Sequence, residues 1–289
     1  MFHLLRRIID QQTWLDTIGG PLQTYLAKLF KSGPGAKQLQ NFLNGVWLGH
    51  PLHPTLTDVP VGAWTATVAL DAAAALTGDQ GFERASDVSL GTGLAAAYAS
   101  AVTGFTDWTD TYGFERKLGL LHGIFMVTTT VTYSAALVAR LSGARKAGVA
   151  LSNLGYGLLA TGAYLGGDEV FEVGYPVNHT AFLQGPGEYT AVIPETELPS
   201  DKPTAVTVKN VPILLVKQGS QIYALDDTCV HAGCSLAGGT LAGRTITCPC
   251  HGSEYDLSDG SVINGPATMP EPAYHVRVQN GMIEIKLAE

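Results

Sequence analysis

The chain has 289 residues, of which 46% are hydrophobic and only 15% are charged, and its formal net charge is −8. A negative chain without a basic stripe excludes a nucleic-acid-binding protein, because phosphate recognition needs clustered Lys and Arg. The charged fraction is also low for a fully soluble globular protein, so we expect part of the chain to lie in a membrane.

Residues 1–46 are predicted to form an amphipathic helical segment. Apolar residues recur at nearly helical spacing until the break at Gly33-Pro34-Gly35. They include Leu5, Ile8, Ile9, Leu15 and Ile18. The segment lacks the long apolar core of a cleavable signal peptide. A helix of this kind lies on a membrane surface or docks onto a partner protein, and both interpretations stay open.

Residues 47–167 are predicted to form a bundle of four transmembrane helices. The apolar stretches run approximately over residues 59–77, 87–105, 118–141 and 148–166. At a rise of about 1.5 Å per residue, each is long enough to cross a hydrocarbon layer of about 30 Å. Their Ala, Gly, Ser and Thr content suits close helix packing in a bilayer. The alternative is a soluble Ala-rich bundle, but its solvent face would carry the Glu and Lys that these stretches lack.

The entry to this region carries a distinctive motif, Gly49-His50-Pro51-Leu52-His53-Pro54, and Asp107-Trp108 follows the second apolar stretch. In these features residues 47–175 resemble a family of uncharacterised four-helix bacterial membrane proteins. The resemblance implies a fold and supplies no function. Where that family often has a His after a Gly-Gly pair, this chain has Asp168. No internal repeat is recognisable in the sequence.

Histidines near helix starts are the candidate site of the membrane region. The first and third helices begin on the same face, so His50, His53 and His122 are expected at a similar depth. Their imidazoles suit the axial ligands of a haem b, with His53 and His122 favoured and His50 as the alternative first ligand. Contacts to a quinone and purely structural hydrogen bonds at the helix ends are the other interpretations.

The C-terminal third of the chain has a different pattern. Residues 168–190, with Gly, Pro and Asn, are predicted to be a linker. Residues 191–289 contain short β-rich runs separated by turns such as Gln279-Asn-Gly281. Several runs alternate apolar and polar residues, as half-buried strands do. We therefore expect a small antiparallel β domain after the helices.

All four cysteines of the chain lie between residues 229 and 250, and two histidines interleave with them. The potential ligands form two short motifs, Cys229-x-His231 and Cys248-x-x-His251. Each motif offers one thiolate and one imidazole, which is the ligand set that a Rieske [2Fe–2S] centre takes from two loops. A zinc site with two Cys and two His is the alternative, although zinc fingers usually pair Cys with Cys and His with His.

The segments CVHAGC and CPCHGSEYD resemble the two loops of the disulfide-containing Rieske iron–sulfur proteins, including those of cytochrome bc complexes. The resemblance covers roughly residues 188–289. It implies that Cys229 and Cys248 bind one iron, that His231 and His251 bind the other, and that a disulfide joins the loops. The disulfide cysteines would be Cys234 and Cys250. The residues expected to donate hydrogen bonds to the cluster sulfurs are Ser253 and Tyr255. The loop expected to cover the cluster is Gly265-Pro266-Ala267.

These features predict a multi-pass protein of the bacterial inner membrane that transfers single electrons. The expected exchange is between a partner redox enzyme, such as a dehydrogenase or hydrogenase complex, and the quinone pool or respiratory chain. Four spans return the chain to its starting face, so the N-terminus and the β domain are expected on one face. The absence of a twin-arginine signal before the fourth helix favours the cytoplasmic face, whereas the disulfide-type cysteines favour the opposite face. The alternatives are a membrane anchor that recruits a larger redox complex and an electron-supply component of an oxygenase system.

Overall fold

The computed structural model describes residues 2–288 and divides into two compact units. The helical unit consists of the residues up to Pro34 together with Leu52–Val173. The β unit consists of Gly35–Pro51 together with the chain from Gly174 onward. The predicted amphipathic segment is thus shared between the units, and the division falls at the Gly33-Pro34-Gly35 break.

In the helical unit, two N-terminal helices precede a group of long helices. The N-terminal helices are α1 (Phe2–Asp10) and α2 (Thr13–Lys31). Their buried apolar residues Ile9 and Leu15 pack in one cluster with Trp108, Leu118 and Leu165. The predicted amphipathic face therefore covers the helical unit itself.

The long helices form an antiparallel bundle. They are α4 (Leu52–Thr77), α5 (Gln80–Trp108), α6 (Gly113–Leu141) and α7 (Arg145–Asp168), and one π-helical turn, Glu169–Val173, continues α7. A core cluster draws Trp64, Leu90, Tyr133 and Leu159 from the successive helices. Many Ser and Thr hydroxyls donate to the carbonyl four residues earlier, which removes polar groups from the helix surfaces.

Three helices of this bundle have the length and hydropathy of membrane spans. In the described part of the chain, α4, α5 and α6 are long and apolar enough to cross a membrane. Helix α7 packs as the fourth member but does not reach that hydropathy, because Gly, Ser, Asn and Tyr dilute its apolar residues. The observed architecture is thus a helical region with three candidate membrane helices followed by a small antiparallel β domain.

The β unit consists of helix α3 (Ala36–Asn44) and short strands. The strands are β1 (Thr190–Pro194), β2 (Thr204–Val208), β3 (Val211–Gln218), β4 (Gln221–Asp226), β5 (Thr240–Ala242), β6 (Thr245–Thr247), β7 (Glu254–Asp256), β8 (Val262–Asn264), β9 (Tyr274–Gln279) and β10 (Met282–Leu287). They pair antiparallel in the orders β1-β10-β9, β2-β3-β4 and β5-β6-β7-β8. One buried cluster lies between the first two sheets, and a second lies beneath the loops that follow β4 and β6.

Candidate metal centre

Two loops of the β unit carry the interleaved Cys and His residues, and the two loops are built alike. The first follows β4 and the second follows β6. In the first, the N–H of Gly233 donates to Cys229 O at 2.8 Å; in the second, the N–H of Gly252 donates to Cys248 O at 3.2 Å. Both glycines have a positive φ, 76° and 79°, which side-chain-bearing residues rarely adopt. Each loop is therefore a tight turn that presents its Cys and its His on one side.

The turns bring like donors together. The imidazole ring centroids of His231 and His251 are 4.8 Å apart. Cys229 and Cys248 are buried and unbridged. A disulfide between Cys234 and Cys250 joins the loops, as the sequence comparison with disulfide-containing proteins implied.

Cys229 and Cys248 lie close enough for each thiol to affect the ionisation of the other. The neighbouring Cys229 thiol lowers the pKa of Cys248, and the backbone N–H groups of Cys250 and His251 lower it further. The Cys248 thiol and burial raise the pKa of Cys229. Of the two, Cys248 is therefore the thiol that ionises more readily, and iron binds the ionised form.

The donor set fits a two-iron cluster. A [2Fe–2S] centre of this kind takes two thiolates on one iron and two imidazoles on the other. Here each loop supplies one buried thiol and one imidazole, and the two imidazoles lie side by side. Within residues 2–288, no three His, Cys, Asp or Glu side chains converge on a single metal position.

The hydroxyl residues predicted to contact the cluster occupy different positions. Tyr255 is fully buried, and its hydroxyl lies 3.2 Å from the Cys229 sulfur. Ser253 is also buried, but its oxygen accepts a hydrogen bond at 3.0 Å from the N–H of Ala267. Ser253 therefore holds the third loop, and its own proton stays available for another acceptor.

Helix α3 anchors this third loop, a role that the sequence did not indicate. The Asn41 amide accepts from the N–H of Gly265 at 2.9 Å and donates to Ile263 O at 3.1 Å. Gly265, Pro266 and Ala267 are all buried. Only the tertiary structure places a residue from the N-terminal segment beside a loop more than two hundred positions away.

Further residues near the donor loops were also missed by sequence reasoning. Glu271 is 1% exposed, accepts from the N–H of Val230 at 2.7 Å, and has its pKa raised to about 8 by burial. Its place between two prolines in an apolar stretch was the available signal. The Tyr175 ring lies 5.2 Å from the His231 ring, and the His179 N–H donates to Val230 O. The segment predicted as a linker thus packs against the first loop.

In the helical unit, the structure brings His53 and His122 together. Their ring centroids are 6.5 Å apart and the rings are nearly perpendicular, at 84°. His50, the alternative ligand, is exposed and contacts the neighbouring Pro51 O through Nδ1. Asp71, an acid in the middle of α4, forms a buried ion pair with Arg140.

The β fold and its paired donor loops define a small iron–sulfur protein with a binuclear centre. The model of the Rieske [2Fe-2S] domain family matches residues 188–279, and the model described as predicted membrane protein (DUF2231) matches residues 49–179. Through its C-terminal domain the chain belongs to the Rieske [2Fe–2S] family. It is therefore an iron–sulfur electron-transfer protein, with a membrane-protein-family domain in its N-terminal region.

Individual relatives cover mainly the C-terminal domain. Ferredoxin CarAc of Metapseudomonas resinovorans is 36% identical over 74 residues, which are 26% of this chain and 69% of that protein. The cytochrome b6-f complex iron-sulfur subunit of Chlorobaculum tepidum is 32% identical over 98 residues, 34% of this chain and 53% of that protein. The ferredoxin of carbazole 1,9a-dioxygenase from Nocardioides aromaticivorans aligns with a TM-score of 0.33 and 28% identity over 34% of this chain and 96% of that one.

Proposed function

We propose that this protein is a membrane-anchored carrier that passes single electrons between a partner redox enzyme and the quinone pool or respiratory chain. The observation that carries the proposal is the presence of one buried thiol and one imidazole in each of two matching turns, with the two imidazoles side by side and a disulfide joining the turns. Partner enzymes of the expected class are dehydrogenase, hydrogenase or other oxidoreductase complexes.

In this proposal Cys229 and Cys248 hold one iron, and His231 and His251 hold the other. The bound cluster supplies one-electron chemistry. Tyr255 stabilises the Cys229 sulfur through its hydroxyl, and the disulfide keeps the loops closed over the cluster. His251 is half-buried whereas His231 is 6% exposed, so we assign the partner-facing edge to His251.

The helical unit is proposed to be the anchor, with α4 to α7 each crossing the inner membrane of a bacterial cell. Four crossings return the chain to the face from which it entered. The N-terminal segment and the Rieske domain would then share one face, and we prefer the cytoplasmic face. The proposal also gives the helical unit a redox role, through a haem b or a quinone near His53 and His122.

Two other functions remain as alternatives. One is an anchor that recruits a larger redox complex. The other is electron supply to an oxygenase system, which is favoured by relatives described as ferredoxin components of naphthalene 1,2-dioxygenase systems. The disulfide between Cys234 and Cys250 instead supports the quinone-linked subgroup, since it is the feature shared with the bc-complex proteins.

Low-temperature EPR of the reduced, detergent-purified protein tests the cluster. We expect a Rieske-type signal whose average g value lies below that of all-cysteine ferredoxins, together with iron and acid-labile sulfide. His251→Ala should abolish this signal, whereas the matched control His275→Ala, an exposed histidine on β9, should retain it. Zinc without acid-labile sulfide in the wild-type protein would refute the assignment.

Stopped-flow spectroscopy tests the electron path. When the protein is reconstituted in vesicles, a quinol should reduce its oxidised cluster in a single kinetic phase. Rapid reduction by an oxygenase-type reductase with no reaction toward quinol would favour the oxygenase alternative. A cluster that reacts with neither would leave the anchoring function as the better explanation.

A further inference from the structure

The helical unit contains an internal duplication that the amino-acid types conceal. Three residue pairs meet between α4 and α6, and each pair is spaced by 69 positions (53 to 122, 64 to 133, 71 to 140). The pairs are His53 with His122, Trp64 with Tyr133, and Asp71 with Arg140. The Trp64 and Tyr133 rings stack with their centroids 4.1 Å apart and their planes at 9°. Two of the three corresponding layers thus hold different residue types in the two helices, and the third holds a histidine in each.

The second helix of each hairpin repeats as well. Glycines of α5 and α7 leave space for the side chains of α4 and α6, and they are spaced by 62 positions (93 to 155, 104 to 166). A Cβ at Gly93 would overlap the Trp64 ring, and one at Gly155 would lie 2.9 Å from the Tyr133 ring. The hairpins α4–α5 and α6–α7 are therefore two copies of one unit that run in the same direction, as in parallel repeats of membrane proteins.

The outermost layer of this duplication is a matched pair of imidazoles. His53 Nδ1 lies 2.8 Å from Ser100 O, and His122 Nδ1 lies 2.8 Å from Gly162 O, with the acceptors again spaced by 62 positions. Because a carbonyl oxygen only accepts, Nδ1 must carry the hydrogen in both rings. The Nε2 atom of each neutral imidazole therefore keeps its lone pair for a metal.

Glycines hold these rings in place on the side of the partner helix. A Cβ at Gly104 would lie 2.7 Å from Cε1 of His53, and a Cβ at Gly166 would lie 3.0 Å from Cε1 of His122. A side chain at Gly104 would therefore clash with the His53 ring, and one at Gly166 would force the His122 ring to shift by a few tenths of an ångström. His53 and His122 are only partly buried as residues, so each keeps some accessible surface.

The distance between the rings indicates which ligand they would bind. Two imidazoles on opposite sides of one metal have ring centroids about 6 Å apart, from two metal–nitrogen bonds of about 2 Å and the two nitrogen-to-centroid distances. The observed separation of His53 and His122 is 6.5 Å. In residues 2–288 no third His, Cys, Asp or Glu joins such a pair, and two protein ligands are too few for a bare divalent ion. A haem iron already has four porphyrin nitrogens and needs two axial imidazoles.

We propose that His53 and His122 are the two axial ligands of a b-type haem, bound between the two copies of the duplicated hairpin. The inference extends the proposed electron-transfer function by naming the redox group of the helical unit. It stands independently of the cluster, because its ligands lie wholly within the helical unit. If a ferric haem binds with the rings in this nearly perpendicular arrangement, at 84°, its low-spin state would be strongly anisotropic.

The test is carried out on the full-length protein in detergent. The wild-type protein should contain about one haem b per chain by pyridine haemochrome analysis, with a low-spin reduced spectrum. Ferric EPR should show the strongly anisotropic low-spin signal of perpendicular imidazoles. Protein prepared from haem-depleted cells should bind added haemin at about a 1:1 ratio and give the same spectra.

Single substitutions identify the ligands. His53→Ala and His122→Ala should each lose the low-spin haem while keeping the Rieske EPR signal, and His275→Ala should retain both signals. Loss of haem in His50→Ala but not in His53→Ala would overturn the assignment, as would haem that persists in His122→Ala. A variant that also loses the cluster signal is misfolded and does not identify a ligand. In that case the haem spectrum of the wild-type protein is the test, and a high-spin or histidine–methionine signature overturns the proposal. Saturable quinone binding in a wild-type protein that neither contains nor takes up haem also overturns it.

Discussion

Replacing Tyr255 by Phe is expected to lower the midpoint potential of the cluster while leaving the cluster assembled. The Tyr255 hydroxyl lies 3.2 Å from the Cys229 sulfur and is fully buried. On reduction the cluster becomes more negative, so a hydroxyl that donates to its sulfur stabilises the reduced state more than the oxidised state. Phe keeps the ring and its packing and removes only the donor.

The magnitude follows from the value of one buried hydrogen bond. Such a bond contributes about 1–1.5 kcal/mol, and for a one-electron couple this corresponds to about 50 mV. Burial away from water keeps solvent from replacing the lost donor, so little of this difference should be recovered. We therefore expect a decrease of about 50 mV in the Tyr255→Phe variant.

Potentiometric titration followed by EPR measures this change directly. Tyr223 offers a matched control, because it packs against the same buried cluster of residues. Tyr223→Phe should leave the midpoint potential unchanged. If Tyr255→Phe assembles its cluster and also keeps the wild-type potential, then the hydroxyl does not act on the cluster sulfur and the reasoning is wrong.

Three further outcomes are expected. Ser253→Ala should also lower the midpoint potential. Because the Ser253 oxygen accepts a hydrogen bond from the N–H of Ala267, the substitution should also increase hydrogen exchange in the third loop. Unchanged exchange would contradict this role. Arg140→Gln should destabilise the helical unit by up to about 3 kcal/mol, since the buried Asp71 carboxylate then keeps only the Ser86 hydroxyl and a longer contact to Arg145. In thermal unfolding the double variant with Asp71→Asn should be the more stable of the two, and equal stability would refute the ion-pair argument. Burial raises the pKa of Asp226 to about 6, so the contribution of Asp226 to stability is largest below about pH 4 and is lost as the pH rises through about 6. Asp226→Asn should remove this decrease, so between pH 4 and pH 8 the variant should gain about 3 kcal/mol in free energy of unfolding relative to wild type. An unchanged pH profile of unfolding would contradict the raised pKa of Asp226.

Local sequence patterns were sufficient to predict the two donor loops. The two motifs around Cys229 and Cys248 define two turns whose ligand spacing suits one cofactor class, and the family comparison supports that class. The glycines at positions 233 and 252 follow from the same local logic, because each closes its turn with a positive φ. The apolar stretches likewise predicted helices close to where α4 to α7 lie, since hydrophobic runs of this length form helices without reference to the rest of the chain.

Contacts between distant segments could not be predicted in this way. Nothing in the sequence around Asn41 indicates that its amide holds the loop at Gly265, because the partners are backbone atoms and leave no complementary residue type. Glu271 is a similar case, because its role is visible only in the buried hydrogen bond that its carboxylate accepts from the Val230 N–H. Potential cluster ligands are visible locally, whereas the residues that position them are not.

The sequence by itself determined the cofactor class, the division into an apolar helical region and a β domain, and the candidate histidines. Only the tertiary structure decided that α3 joins the β unit and that the hairpins are duplicates. The duplication is hard to recognise in the sequence because two of the three corresponding layers hold different residue types, Trp64 with Tyr133 and Asp71 with Arg140. The paired residues of α4 and α6 contact each other, and an acid attracts a base better than a second acid. Unlike residues can therefore occupy equivalent positions in the two hairpins. The repeat is then lost from the sequence although the packing retains it.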